Sequence, residues 1–263
     1  KVLDSLGYKN VFTKVGDGFL GWPEHAPFDR IIVTCSPEDV PKPLVEQLSE
    51  GGLMVIPVGE RYQQTLYLMR KKDGKLEREA LRPTLFVPMT GEAEDNRKVH
   101  ADPSKPTLIN GDFEEPLLKS GDVPGWYYQR GLKWMADPKG DGHYVEFDND
   151  VHGRPTNLLQ GLGLDGRQVR KIKLSANIKI TDVRVGVDKT ELPALTIRFL
   201  DEKRAWVGGT LSVGPFQGTT RDWKHESKTF RIPPDAREAI VSIGLFGATG
   251  KAAFDKVEIE AVK

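Results

Sequence analysis

Val15-Gly-Asp-Gly-Phe-Leu-Gly-Trp-Pro-Glu-His-Ala-Pro-Phe-Asp-Arg-Ile-Ile-Val-Thr-Cys35 is the stretch on which the reading of this chain turns. A Gly-Asp-Gly turn at Gly16 to Gly18 closes a short apolar strand expected over Val11 to Val15, and a Trp-Pro loop leads to a second strand from Phe28. That second strand ends in an apolar run, Ile31-Ile32-Val33, typical of a parallel strand covered on both faces. Open α/β sheets bind small molecules beyond the carboxyl ends of their strands. Gly16-Asp17-Gly18 and Thr34-Cys35-Ser36 both fall at such ends.

Working outward, Val2, Leu3 and Leu6 share one helical face and Gly7 is a natural stop, so a short helix is expected over residues 1–7. Downstream, Val40, Leu44, Val45 and Leu48 form the apolar stripe of a helix that Gly51-Gly52 should end. Leu53 to Val58 reads as a core strand. Gln64 to Arg70 and Leu76 to Val87 read as a hairpin whose Asp73-Gly74 suits a type I′ turn and whose basic tip is solvated. His25 has no second ligand nearby and reads as a loop residue.

Five ordered blocks carry a resemblance: L-G-Y-K-N-V, G-D-G-F-L-G-W-P-E-H-A-P-F-D-R-I-I-V-T, V-P-K-P-L-V-E-Q-L, G-G-L-M-V-I-P-V-G and L-F-V-P-M-T. Together they resemble the protein-L-isoaspartate O-methyltransferase family from about Leu3 to Thr90, starting in the middle of that family's domain. The resemblance implies an α/β Rossmann-type methyltransferase domain, incomplete, with its N-terminal half missing. It implies that Gly16, Asp17 and Gly18 lie beside the adenine of S-adenosyl-L-methionine, with Asp17 accepting from the exocyclic amine, and that Thr90 contacts the cofactor. Val87 and Pro88 would border the peptide substrate. Where the family often has a further cofactor-contacting Gln, this chain has Asp95.

The intact parent would methylate the side carboxylate of L-isoaspartyl or D-aspartyl residues in proteins and peptides, a repair reaction. A carboxylate is ionised at neutral pH, so positioning does most of the work. The Gly-rich turn and acidic strand end that such a cofactor needs do not precede Val11, nor does the family's substrate-facing Ser. Together with a first residue, Lys1, that is not Met, this gives the expectation of an N-terminal truncation and of a chain inactive by itself. The strand at Ile31 is then expected to be an open edge.

Thirty-eight basic residues cancel thirty-eight acidic ones, leaving no broad footprint for nucleic acid or an anionic membrane. No apolar run reaches the length of a membrane span. Apolar residues at 38% with 27 glycines lie in the globular range, enough for two modest cores. Cys35 is the only cysteine, which rules out an intramolecular disulfide and reads as a small buried residue.

The composition divides the chain into residues 1–97, a polar linker at 98–106 and a β-rich remainder at 107–263. Ile172, Leu174, Ala176, Ile178 and Ile180 keep period two, as do Val257, Ile259 and Ala261, so an all-β jelly-roll sandwich is expected. L-I-N-G-D-F-E with Pro124-Gly125-Trp126 at one end, and G-K-A-A-F-D-K-V-E-I-E at the other, resemble the galactose-binding-like sandwiches of carbohydrate-binding modules. In that family the two ends lie side by side and often hold a structural calcium. Asp112, Glu114 and Asp255 are its candidate ligands here, the plainer alternative being a turn cap and a solvated acid. Trp126, Tyr127, Tyr128, Trp134, Trp206 and Trp223 are core or a sugar platform, with Trp134 and Trp206 the candidates for exposed glycan-stacking rings.

Two functions follow. One is a fragment of the repair methyltransferase; the other is a carbohydrate- or protein-binding sandwich on a non-catalytic remnant. The methyltransferase family is usually cytoplasmic whereas such a sandwich points outside the cytoplasm, which leaves the compartment unknown.

Overall fold

The computed structural model describes residues 2–140 and 142–262. The first half is a four-stranded sheet in the order β1 (Phe28–Ile32), β2 (Leu48–Glu60), β3 (Gln63–Lys72), β4 (Lys75–Thr84). β1 runs parallel to β2, and helix α2 (Lys42–Gln47) makes the crossover; the other pairs are antiparallel. Met54, Ile56 and Met69 are fully buried under Leu44 of α2, each contributing about 1.5–3 kcal/mol of burial. Asp73 and Gly74 both take positive φ, 49° and 72°, as a type I′ turn requires. The expected solvated tip holds only in part. Lys71 reaches back to donate to the carbonyls of Val45 and Leu48 at 2.9 and 2.8 Å, satisfying the end of α2.

Two expectations need correction. Helix α1 occupies Val2–Ser5, Lys1 lying outside the described residues, but Val11 to Val15 forms no strand. No strand among the described residues pairs with it, and Val15 is wholly exposed. β1, by contrast, is the open edge expected of it, its Ile32 76% exposed. Finally, Gly51 and Gly52 do not end α2; Pro41 precedes it, and the chain turns into β2 already at Leu48. Among the described residues no helix is long and apolar enough to cross a membrane.

Residues 107–262 form a sandwich of two antiparallel sheets, jelly-roll in its alternation. One sheet has the order β10 (Trp206–Val213), β9 (Ala194–Leu200), β12 (Glu238–Gly244), β7 (Asn157–Gly163). The other has β11 (Lys224–Arg231), β8 (Lys171–Arg184), β13 (Thr249–Val262), β6 (His143–Asn149), β5 (Leu132–Ala136). Consecutive strands from β6 to β13 mostly change sheet, so period-two apolar residues such as Leu174, Ala176 and Ile178 meet Ile197, Phe199 and Val241 across one core. Asn110 locks the opening segment. Its carbonyl accepts from the Trp126 indole at 2.9 Å, its amide donates to Pro124 O at 3.0 Å, and Gly111 O accepts from Val257 N of β13 at 2.8 Å. The opening and closing segments of the sandwich therefore lie side by side.

The two halves dock. Gly161 and Gly163, on the outward face of β7, leave room for Tyr62 and Leu85: a Cβ at Gly161 would stand 3.0 Å from Leu85 and 3.2 Å from Tyr62. Tyr127 donates its hydroxyl to Tyr62 O at 2.6 Å. Around this apolar contact runs a chain of ion pairs, Arg97 to Glu94, Glu94 to Arg61, Arg61 to Glu238 and Glu238 to Arg204. Its central acid, Glu238, belongs to the sandwich and is 6% exposed.

Candidate functional site

Asp17 organises the loop at the open end of the first sheet. Its Oδ1 accepts from Phe19 N at 2.9 Å and caps the 3₁₀ turn Gly18–Leu20, and its Oδ2 accepts from Glu92 N at 3.0 Å at the start of α3 (Glu92–Asp95). These two amides hold its carboxyl below the usual carboxylate range, so it is ionised at neutral pH. Gly91 must be a glycine: its φ is 74° and a Cβ there would collide with the Asp17 carboxylate. Gln47 of α2 fixes the other side of the loop, accepting from Trp22 N at 2.7 Å and donating to Leu20 O at 2.8 Å.

The second wall is the segment after β4. Ser36, buried past the end of β1, donates its N–H to Val87 O at 2.8 Å and accepts from Met89 N at 2.9 Å. This short parallel bridge brings Val87, Pro88 and Thr90 beside Gly16, Asp17 and Gly18 around an open hollow of about 440 Å³. Cys35, half-buried rather than buried, lines it too. Burial and then the Asp17 charge push its thiol up, which keeps it protonated and poorly nucleophilic. The Gly-Asp-Gly turn also borders a second, more apolar hollow of about 680 Å³ along Phe12, Trp22, Phe28 and Ile31.

The backbone of the Gly-Asp-Gly turn is open to the hollow. A Cβ at Gly16 or Gly18 would meet nothing within 4 Å, so the backbone there is open rather than packed. Asp17 has spent two of roughly four acceptor positions on backbone amides and keeps others for an amine. Asp95, by contrast, lies exposed in the last position of α3.

The candidate residues of the sandwich are scattered. Among the described residues no group of three or more His, Cys, Asp or Glu could hold a metal ion, so Asp112, Glu114 and Asp255 are not gathered into one cluster. Glu114 is committed to His143, accepting from its N–H at 2.7 Å, and Asp255 accepts from Lys256 N at 2.6 Å, while Asp112 points to solvent. Burial raises the Asp255 carboxyl above the usual carboxylate range. Trp134 is no free platform either: it stacks on His143 at 3.9 Å and donates to Phe113 O at 2.8 Å. Trp206 is 49% exposed, but the Arg198 guanidinium lies 3.7 Å over its ring and it stands on the other sheet from Trp134. Trp126 and Tyr127 are core.

Two features escaped the sequence. Tyr144 and Trp223 meet edge to face at 5.2 Å beside a hollow of about 150 Å³ on the outward side of β6, β8 and β13. Arg204, from the β9 to β10 turn, lines the 440 Å³ hollow of the other half. Nothing in the local sequence Asp-Glu-Lys-Arg at 201–204 marks it, and only the docking of the halves gives it this place.

Residues 1–94 match the family model described as Protein-L-isoaspartate(D-aspartate) O-methyltransferase (PCMT). A relative named protein-L-isoaspartate O-methyltransferase from Dictyoglomus turgidum is 55% identical over 92 residues, 35% of this chain and 42% of the relative. Another of that name from Hyperthermus butylicus is 53% identical over 92 residues, 34% of this chain and 38% of the relative. The chain thus spans about two fifths of the length of these curated relatives. Among solved structures, a protein-L-isoaspartate O-methyltransferase is similar at 35% identity, covering 35% of this chain and 29% of that chain with a TM-score of 0.33. A family 16 carbohydrate-binding module is similar at 17% identity, covering 59% of this chain and 99% of that chain with a TM-score of 0.38.

Proposed function

We propose that residues 1–97 supply the adenine side of an S-adenosyl-L-methionine site and one wall of the peptide groove of a protein-repair methyltransferase acting on isoaspartyl residues. Residues 98–106 are the linker and 107–263 the appended sandwich. The observation that carries this reading is the single hollow shared by Gly16, Asp17, Gly18, Val87, Pro88 and Thr90, from segments far apart in the chain. Asp17, with the open backbone of Gly16 and Gly18, holds the adenine edge; Thr90 contacts the cofactor and Val87 and Pro88 border the peptide. When bound, the cofactor supplies the methyl group, and the acceptor carboxylate needs no base at neutral pH. A Gly-rich turn and a ribose-binding acid have no counterpart in residues 1–94, so this chain by itself does not turn over.

Calorimetric titration of S-adenosylhomocysteine tests the reading. The expected result is little or no heat with this chain, and binding with the full gene product that Asp17→Ala weakens by about tenfold, the scale of a lost hydrogen bond to a charged group. A full gene product that folds and ignores the ligand overturns it.

A second reading, carbohydrate binding by the sandwich, is favoured by the Tyr144–Trp223 pair and the polar groups of Glu146, Lys179 and Lys251 beside it. Affinity electrophoresis through a panel of polysaccharides is expected to show retardation that Trp223→Ala abolishes. Unretarded migration in every gel removes this reading.

A further inference from the structure

The sandwich does more than cover the methyltransferase-type half. Arg204 projects from a rigid turn: Asp201 accepts through Oδ1 from Lys203 N and Ala205 N, both at 2.8 Å, and through its carbonyl from Arg204 N at 3.0 Å. Glu238 then fixes the guanidinium, accepting from Nη1 at 2.6 Å. A guanidinium has five N–H donors in a planar fork, so donors remain beyond the one spent on Glu238.

Within the hollow Asp17 offsets the net charge of the ion chain, so the preference for an anion rests on the free donors of Arg204. Arg97, Glu94, Arg61, Glu238 and Arg204 alternate in sign along one chain of contacts, three guanidiniums against two carboxylates. The surplus is one positive charge, and the end of the chain that lines the hollow beside Val87 and Pro88 is Arg204. The other ionised group there, Asp17, is held by the amides of Phe19 and Glu92. Arg204 is 29% exposed, dry enough for its charge to count and open enough to be reached.

We propose that Arg204 is a specificity-determining residue of this cleft, recognising an acidic side chain next to the isoaspartyl residue of a peptide substrate. The inference rests on the methyltransferase reading above. The partner is a flanking carboxylate rather than the acceptor itself, because a guanidinium fork on the acceptor would draw electron density from the oxygen that must attack. By this arrangement the appended sandwich completes the substrate site and biases it toward acidic peptides.

The test uses the full gene product with S-adenosylhomocysteine present and fluorescent isoaspartyl peptides in which one Glu, or one Gln, is moved through the positions on either side. Fluorescence anisotropy is expected to give about tenfold tighter binding for Glu over Gln at one position, the worth of a charge-assisted pair. Arg204→Gln should erase that preference and Arg204→Lys should keep part of it. Glu238 keeps Arg61 as a partner in these variants, and their thermal midpoints check that the fold survives. A wild type that binds cofactor product and peptides without preferring Glu at any position overturns this inference alone. Arg204→Gln that keeps the preference does the same. Failure to bind S-adenosylhomocysteine at all overturns the methyltransferase reading beneath it.

Discussion

Trp126→Ala is expected to cost the sandwich about 4 kcal/mol, as burial of a large aromatic side chain in a close-packed core implies. The ring is fully buried against Phe113, at 5.7 Å between centroids, and its indole N–H satisfies Asn110 O. Truncation therefore opens a cavity and leaves Asn110 O with only the longer bond from Phe113 N at 3.4 Å, at the point where the opening segment meets β13. Domains of this size hold about 5–15 kcal/mol in all, so the variant stands near the edge of folding. Urea unfolding followed by far-UV circular dichroism measures the loss. Trp126→Phe refills most of the volume and should recover about half of it, leaving mainly the missing hydrogen bond. Equal losses for Ala and Phe would mean that the hydrogen bond, not the packing, fixes this corner.

The second large effect is expected at the joint between the halves. Glu238→Ala leaves Arg61 and Arg204, 30% and 29% exposed, facing each other without the carboxylate that both were bonded to. Breaking a buried pair from one side costs about 3–5 kcal/mol, and partial exposure of both cations reduces this to about 2 kcal/mol. The loss falls on docking rather than on either core, because Glu238 points away from the sandwich interior. Limited proteolysis within residues 98–106 reads it directly, with faster cleavage than in the wild type. A cycle of Arg61→Ala, Glu238→Ala and the double variant should show coupling of about 1–2 kcal/mol. Additive effects would make the ion chain an ornament on an interface held by Tyr62, Leu85 and the two glycines.

What the amino-acid sequence disclosed follows from how local each feature is. Asp73-Gly74 and the run Met54 to Ile56 carry their own instructions, positive φ in one and unbroken apolar character in the other, and could be read in place. Val11 to Val15 has strand composition, yet a strand is defined by its neighbour, and no neighbour is present among the described residues. Charged neighbours set Trp134 apart from Trp126 as a candidate exposed ring, but they do not say what covers it. Burial separated them: one entered the core, and the other was taken by His143 and Phe113 O. Asp112, Glu114 and Asp255 were grouped by resemblance, but side-chain direction decides whether oxygens converge, and composition does not encode direction. Arg204 was the least legible, since its position depends on how two halves meet, and neither half alone records that.

The place of β13 has a consequence for how this molecule is made. Thr249–Val262 lies in the middle of the five-stranded sheet, with β8 on one side and β6 on the other. Both neighbours leave the ribosome well before it, and until it arrives they have no partner in common, so that sheet exists only as two separated pieces. The first half, whose β1 to β4 pair with near neighbours in the chain, can form while synthesis continues. The sandwich cannot. Completion of its five-stranded sheet thus waits for β13, against a first half that already presents Tyr62 and Leu85 to β7.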